Sequence, residues 1–116
     1  MLTGALLGLM EQIALDIVTL TELSEEREFF ESRLTYARTL HLLGMLAKTC
    51  GNVPVESRLR MPQVDWPAWQ SLGRALAQPE RHRLQIWVAV KELTPMTLYR
   101  LQGYKRSQPQ LFSMVM

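Results

Sequence analysis

The stretch Met61-Pro62-Gln63-Val64-Asp65-Trp66-Pro67-Ala68-Trp69-Gln70-Ser71-Leu72-Gly73-Arg74 decides the fold, because two prolines and two of the three tryptophans crowd into it. Asp65 has a short carboxylate able to accept from the unpaired N–H groups at a helix start, so it predicts an N-cap. Pro67 then falls in the first helical turn, where a missing N–H removes no hydrogen bond. Trp66 and Trp69 are three apart and share a face. Gly73, one turn beyond Trp69, leaves room for a neighbouring helix to approach. The stretch reads as a helix from Trp66 to about Ala77, entered through a rigid elbow that the indoles hold.

Upstream, Leu6, Met10, Ile13, Ile17 and Leu20 recur at helical spacing, widened by Leu7, Ala14 and Val18, which predicts a long first helix over 2–20. Gly4 and Gly8 form a small pair one turn apart, read as ordinary helix packing. Ser24, with Glu25 and Glu26 behind it, predicts the cap of a second helix running to about Cys50. Its seams are Phe30, Leu34 and Ala37, then Tyr36, Leu40, Leu43 and Ala47. With Leu42 and Leu46 added it is apolar on most sides beyond Ala37, so it should be the central helix, with His41 in its buried part as a hydrogen-bonded core or interface residue. Gly51-Asn52 predicts a left-handed helix end. Val53-Pro54 opens a short helical turn to about Arg60, which leads into the elbow.

Downstream, Gln78-Pro79 breaks the third helix and a fourth begins near Glu80. The run Leu84, Ile86, Trp87, Val88, Ala89, Val90 is nearly unbroken; without turn signals or strand partners it predicts a buried helix. Thr94-Pro95 predicts a new or kinked helix carrying Met96, Leu98, Tyr99 and Leu101. Residues 1–107 form the helical domain, and 108–116 form an apolar tail that docks on the body or covers a partner. Trp66, Trp69 and Trp87 are expected to be mostly buried structural residues. The apolar surface of the second and fourth helices exceeds what one core needs, which predicts a homodimer through them.

An apolar fraction of 47% beside 21% charged residues belongs to a globular chain, not a disordered one. The single cysteine, Cys50, excludes an intramolecular disulfide and a Cys-rich metal site, and it reads as a small residue near a helix end. Glu11, Gln12 and Asp16 interrupt the apolar N-terminal run and no basic segment precedes it, so neither an exported protein nor a membrane partner is expected; the expectation is cytoplasmic. Residues 1–50 carry 4 basic and 7 acidic groups, residues 51–116 carry 9 and 4, so a net +2 divides into −3 and +5. Such asymmetry fits a nucleic-acid face or complementary faces between subunits.

Most catalytic templates fail. There is no Gly-rich phosphate loop, no His-x-x-x-His pair, no Gly-x-Ser-x-Gly elbow and no Cys/His cluster. The histidines His41 and His82 lie on different predicted elements, so no metal site and no cofactor are implied. One polar feature is concentrated: Arg74, followed by Glu80, Arg81, His82 and Arg83. Cations such as Arg81 and Arg83 can hold a phosphate backbone. RNA cleavage by attack of a 2′-hydroxyl needs little more than a histidine acid/base and an arginine beside the phosphorane. The plainer reading is a solvated helix start.

The order of features resembles the HEPN superfamily and, within it, the HepT-like branch of small all-helical proteins. The matching pieces are Ser24-Glu25-Glu26 with Phe29 and Phe30, the Leu-rich helix Leu40 to Lys48, Val53-Pro54, the elbow Met61 to Trp66, the block around Trp87, and Leu93-Thr94-Pro95-Met96-Thr97-Leu98. The likeness spans about residues 20–101, and the elbow is its most specific part. It implies an all-α, up-and-down four-helix bundle with short extra helices, paired as a homodimer. It further implies the ribonuclease toxin of a toxin–antitoxin pair, with a minimal nucleotidyltransferase as partner. The family's motif is an arginine, a short variable run, a histidine and often a tyrosine just beyond. Here Arg74 would start it, but Pro79 intervenes, His82 comes eight residues on, and Leu84 stands where the tyrosine would be. The expectation is a HepT-like protein that has lost nuclease activity and serves as a binding or structural module, with RNA not favoured as a ligand. The alternatives are an RNA-cleaving toxin using Arg74 and His82 as catalytic residues, and an unrelated helical protein-interaction domain.

Overall fold

A computed structural model describes residues 2–113. Their order is α1 (Leu2–Thr21), α2 (Glu26–Glu31), α3 (Arg33–Gly51), α4 (Val55–Leu59), α5 (Trp66–Ala75), α6 (Arg83–Val88) and α7 (Thr94–Ser107). Single 3₁₀ turns lie at Pro79–Arg81 and Pro109–Leu111, and a π-helical segment, Ala89–Leu93, joins α6 to α7 without a break. Among the described residues there is no strand; the protein is an all-α helical bundle. Its body measures 45 × 25 × 20 Å, elongated because α1, α3 and the continuous run from Arg83 to Ser107 supply most of its length.

Helix α1 packs between α3 and α7, while α3 also carries α5 on another side. The predicted face of α1 is the buried one: Leu7, Met10, Ile13, Ala14 and Ile17 are closed off, with Leu6 and Val18 packed at its edge and Leu20 left outside. By length and composition α1 is apolar enough to cross a membrane, and in this fold a third of that window lies inside the bundle. Its end is held by Lys91, whose Nζ donates to the Thr21 carbonyl at 2.7 Å, a cation on the carbonyls that close a helix. The buried Thr21 and Thr97 hydroxyls each donate to the carbonyl four residues back, which satisfies them without a partner helix.

The elbow forms as predicted. Asp65 Oδ1 accepts from Ala68 N at 3.1 Å, and Pro67 lies in the first turn of α5. Trp69 is fully buried, but Trp66 and Trp87 are only half-buried. The indole N–H of Trp66 turns back to the Met61 carbonyl (3.0 Å), so this ring closes the elbow at the surface and does not enter the core.

The structure corrects the reading of the second helix in four places. The chain breaks at Ser32, which ends α2 and caps α3 by accepting from Thr35 N. In one continuous helix Phe29 and Tyr36 would stand about 10 Å apart along the axis. The break instead brings their rings to 5.5 Å, and Phe29, Phe30, Tyr36 and Trp87 form one aromatic cluster. The cap of α2 is Glu25, not Ser24; Glu25 N donates to Glu28 Oε1, while Ser24 N closes the end of α1 on the Thr21 carbonyl. His41 is exposed, as are Leu34 and Ala37, because α3 turns its Thr39, Leu42, Leu43, Leu46, Thr49 and Cys50 face into the core. Gly51 is an ordinary helical residue and Asn52 takes the cap, with no positive φ among the described residues.

α7 begins at Thr94, and of the two expected forms the chain takes the continuous one, running on from α6 through the π segment with no separate new helix. Pro95 has no N–H to offer the carbonyl of Lys91, and the preceding residues take the wider π turn that such an interruption favours. Beyond α7, Leu111 is buried and Phe112 packs at the core's edge. Here the one close glycine contact occurs: a methyl on Gly4 would overlap the Ser113 carbonyl. Met114, Val115 and Met116, also part of the expected tail, lie outside the described residues.

Candidate functional site

The elbow aims α5 across the C-terminal half of α3, and the small residues Gly44, Ala47, Gly51 and Gly73 keep the two backbones from filling the space between them. A methyl on Gly73 would stand 3.5 Å from the Ala47 side chain, an ordinary contact, so glycine there lowers the groove floor but is not required for the helices to meet. What remains is a groove of about 590 Å³, walled by Trp66 and Trp69.

Three cations reach it from three elements: Lys48 in the last turn of α3, Arg58 in α4 and Arg74 in the last turn of α5. No carboxylate and no imidazole is among its lining residues. Arg58 is half-buried and fixed, its Nε donating to the Val53 carbonyl at 2.9 Å, so its charge does not swing away. Trp69 is fixed as well; its Nε1 donates to Thr97 Oγ1 at 2.9 Å on α7. Cys50 borders the groove as a thiol, because burial pushes its pKa up to about 12, outweighing the lowering by a backbone hydrogen bond and by Arg58. A thiol held in its protonated form is a weak nucleophile.

The predicted polar cluster is dispersed. Arg74 faces the groove, whereas His82 is half-buried at the junction between the 3₁₀ turn and α6, where its carbonyl accepts from Ile86 N. His82 is not among the groove's lining residues, and among the described residues neither its side chain nor that of Arg74 makes a hydrogen bond or ion pair. Arg81 donates to Gln78 Oε1 at 3.1 Å within its own turn. The guanidinium of Arg83 lies 4.3 Å over the Phe30 ring, in a hollow it shares with Glu25, Glu26 and Glu31. With Arg27 also lining it, three carboxylates stand against two guanidiniums, and the net negative hollow is a poor seat for phosphate. In the same cluster the Tyr36 hydroxyl is raised above its ordinary pKa, chiefly by burial and further by Glu80, with Arg83 opposing. Among the described residues no group of His, Cys, Asp and Glu could hold a metal ion.

Lys48 and Arg58 were not visible as site residues in the sequence. Each is isolated there, and only the packing of α4 and α5 on α3 joins them to Arg74. Comparison with family models, with curated proteins and with solved structures returns no match.

Proposed function

We propose that this protein is a HepT-like binding module without ribonuclease activity, a cytoplasmic homodimer whose groove between α3, α4 and α5 holds an anionic group of its partner or ligand. One observation carries the reading: Lys48, Arg58 and Arg74 line a single groove from which carboxylates and imidazoles are absent. Such a lining attracts and orients negative charge. Its lining offers no carboxylate or imidazole to take a proton from a 2′-hydroxyl, and Cys50 is a thiol whose pKa burial raises. The HepT likeness adds a minimal nucleotidyltransferase as the expected partner. Leu84 stands in place of the tyrosine such a partner would modify, which favours plain association over modification.

The test is incubation of the purified protein with total RNA and with tRNA, beside Arg74→Ala and His82→Ala. No cleavage is expected from any of the three. Cleavage by the parent that vanishes in both variants would restore the catalytic alternative. The binding half is tested by thermal shift with inorganic pyrophosphate. The parent should gain stability with rising ligand, and Arg74→Gln and Lys48→Gln should lose that gain; a parent that does not respond removes the anion site.

A further inference from the structure

A second groove, about 420 Å³, lies on another side of α5, against α6 and the π segment. Its lining is apolar at Ala68, Leu72, Val88, Ala89, Leu93 and Met96, and its charges are all of one sign, Asp65 and Glu92. Gln85 Nε2 donates to Ser71 Oγ at 3.2 Å and ties the two walls together. Glu92 is exposed, and among the described residues its carboxylate has no hydrogen bond or ion pair; the neighbouring Lys91 is spent on the end of α1. Beside the groove runs a strip of large apolar side chains left open: Leu84 at 72%, Val88 at 40%, Met96 at 51% and Tyr99 at 61% exposure.

An apolar knob and a cation, the complement of this groove, stand just before its Gln85 and Val88 lining residues in the chain. Leu84 is the knob, one turn before Val88, and the exposed Arg81 precedes it on the 3₁₀ turn. Leu84 lies four residues before Val88 and Glu92 four residues after it. Two copies crossing antiparallel at Val88 therefore set each Leu84 beside the other's Glu92, at the mouth of its groove, with Arg81, three residues before Leu84, in side-chain reach of that carboxylate. Contacts related in this way satisfy a two-fold axis, since each copy gives the knob and receives it. We infer that the face formed by α5, α6 and the π segment is the interface between two copies of this chain, with Leu84 seated in the partner's groove and Arg81 opposite the partner's Glu92. This inference rests on the homodimer part of the proposed function and names its face.

Sedimentation equilibrium over roughly 1–100 µM, the range in which modest homodimers assemble, tests it on the full chain. The parent is expected to be dimeric at the upper end. Leu84→Glu and Met96→Glu should each weaken the dimer by about tenfold or more, and so should Arg81→Glu and Glu92→Arg singly. The double variant Arg81→Glu/Glu92→Arg should recover most of the parental affinity. All four side chains are exposed, and an unchanged helical signal in circular dichroism verifies folding. A dimer that persists through Leu84→Glu and Met96→Glu overturns this face and leaves the homodimer standing. A double variant as weak as its singles overturns the Arg81–Glu92 register and the inference with it. A parent that is monomeric throughout overturns both the face and the homodimer, while the ribonuclease and pyrophosphate assays judge the rest of the proposed function separately.

Discussion

Replacing Trp69 probes the joint on which both grooves depend, because its ring is fully buried between α3, α5 and α7 and its N–H bonds Thr97. Trp69→Ala removes the largest buried side chain and leaves a cavity, at a cost of about 3–5 kcal/mol. For 116 residues the unfolding entropy near the midpoint is about 0.24 kcal/mol/K, so Tm should fall by roughly 12–20 °C. Trp69→Phe keeps most of the ring and removes the donor. Thr97 Oγ1 still donates to the Leu93 carbonyl at 2.7 Å, so only its acceptor role is lost. Combined with Thr97→Val in a double-mutant cycle, the coupling should be about 1 kcal/mol. The assays are thermal unfolding for Tm and urea unfolding for the cycle, both followed by circular dichroism at fixed protein concentration so that association does not shift the midpoints. If Trp69→Ala moves Tm by only a degree or two, or if the cycle closes with no coupling, Trp69 does not lock α5 to α7 and the account of the elbow fails.

Gly4→Ala should undock the C-terminal segment, since the added methyl overlaps the Ser113 carbonyl; faster carboxypeptidase trimming and a loss of about 1–3 kcal/mol would report it. Lys91→Met should cost about 1–3 kcal/mol by leaving the Thr21 carbonyl without its charged donor, with faster hydrogen exchange confined to the end of α1. Cys50 should resist iodoacetamide at pH 8 in the native protein and react at once in urea. Its folded pKa of about 12 lies above the ordinary 9.0, so its contribution to stability is complete below pH 9 and is lost as the pH rises towards 12. A Cys50→Ser variant should show a shallower alkaline decline in urea midpoint.

The elbow was legible because its signals are local: a capping carboxylate, a proline two residues later and paired indoles all act within a few residues. The face of α1 was legible for a similar reason, since one unbroken helical period records which side is buried. The break at Ser32 was not. A serine between glutamate and arginine reads as a tolerable helical residue, and the gain that favours the break, the cluster of Phe29 and Phe30 with Tyr36 and Trp87, is assembled from a helix more than fifty residues downstream. Thr94-Pro95 marked the interruption but not its form, because a Thr-Pro pair suits a separate helix start and a disturbed continuous helix equally. Burial of Ile86, Ala89, Val90 and Leu98 keeps the helix running through it. The groove cations were hidden because charge held by three separate elements leaves no cluster in the sequence.

The interval between Arg74 and His82 shows how local chain geometry sorts residues that sequence proximity groups together. If α5 had continued, the eight-residue step from one to the other would span about 12 Å along one helix. Helix α5 instead ends at Ala75, and the Gln78–Pro79 turn starts a 3₁₀ step before α6 begins at Arg83. Arg74, left in the last turn of α5, stays with the elements that α5 packs against, and so joins Lys48 and Arg58. His82 is carried past the turn into the frame of α6, where its backbone supports the first helical hydrogen bond. Arg81 and Arg83, two residues apart, then leave this junction for different neighbours, Gln78 and the Phe30 ring. Restoring a converging pair within one subunit would require removing the turn, not repairing a side chain. A deletion spanning Gln78–Pro79 that extends α5 would therefore change which surface His82 reaches, and point substitutions at Arg74 or His82 would not.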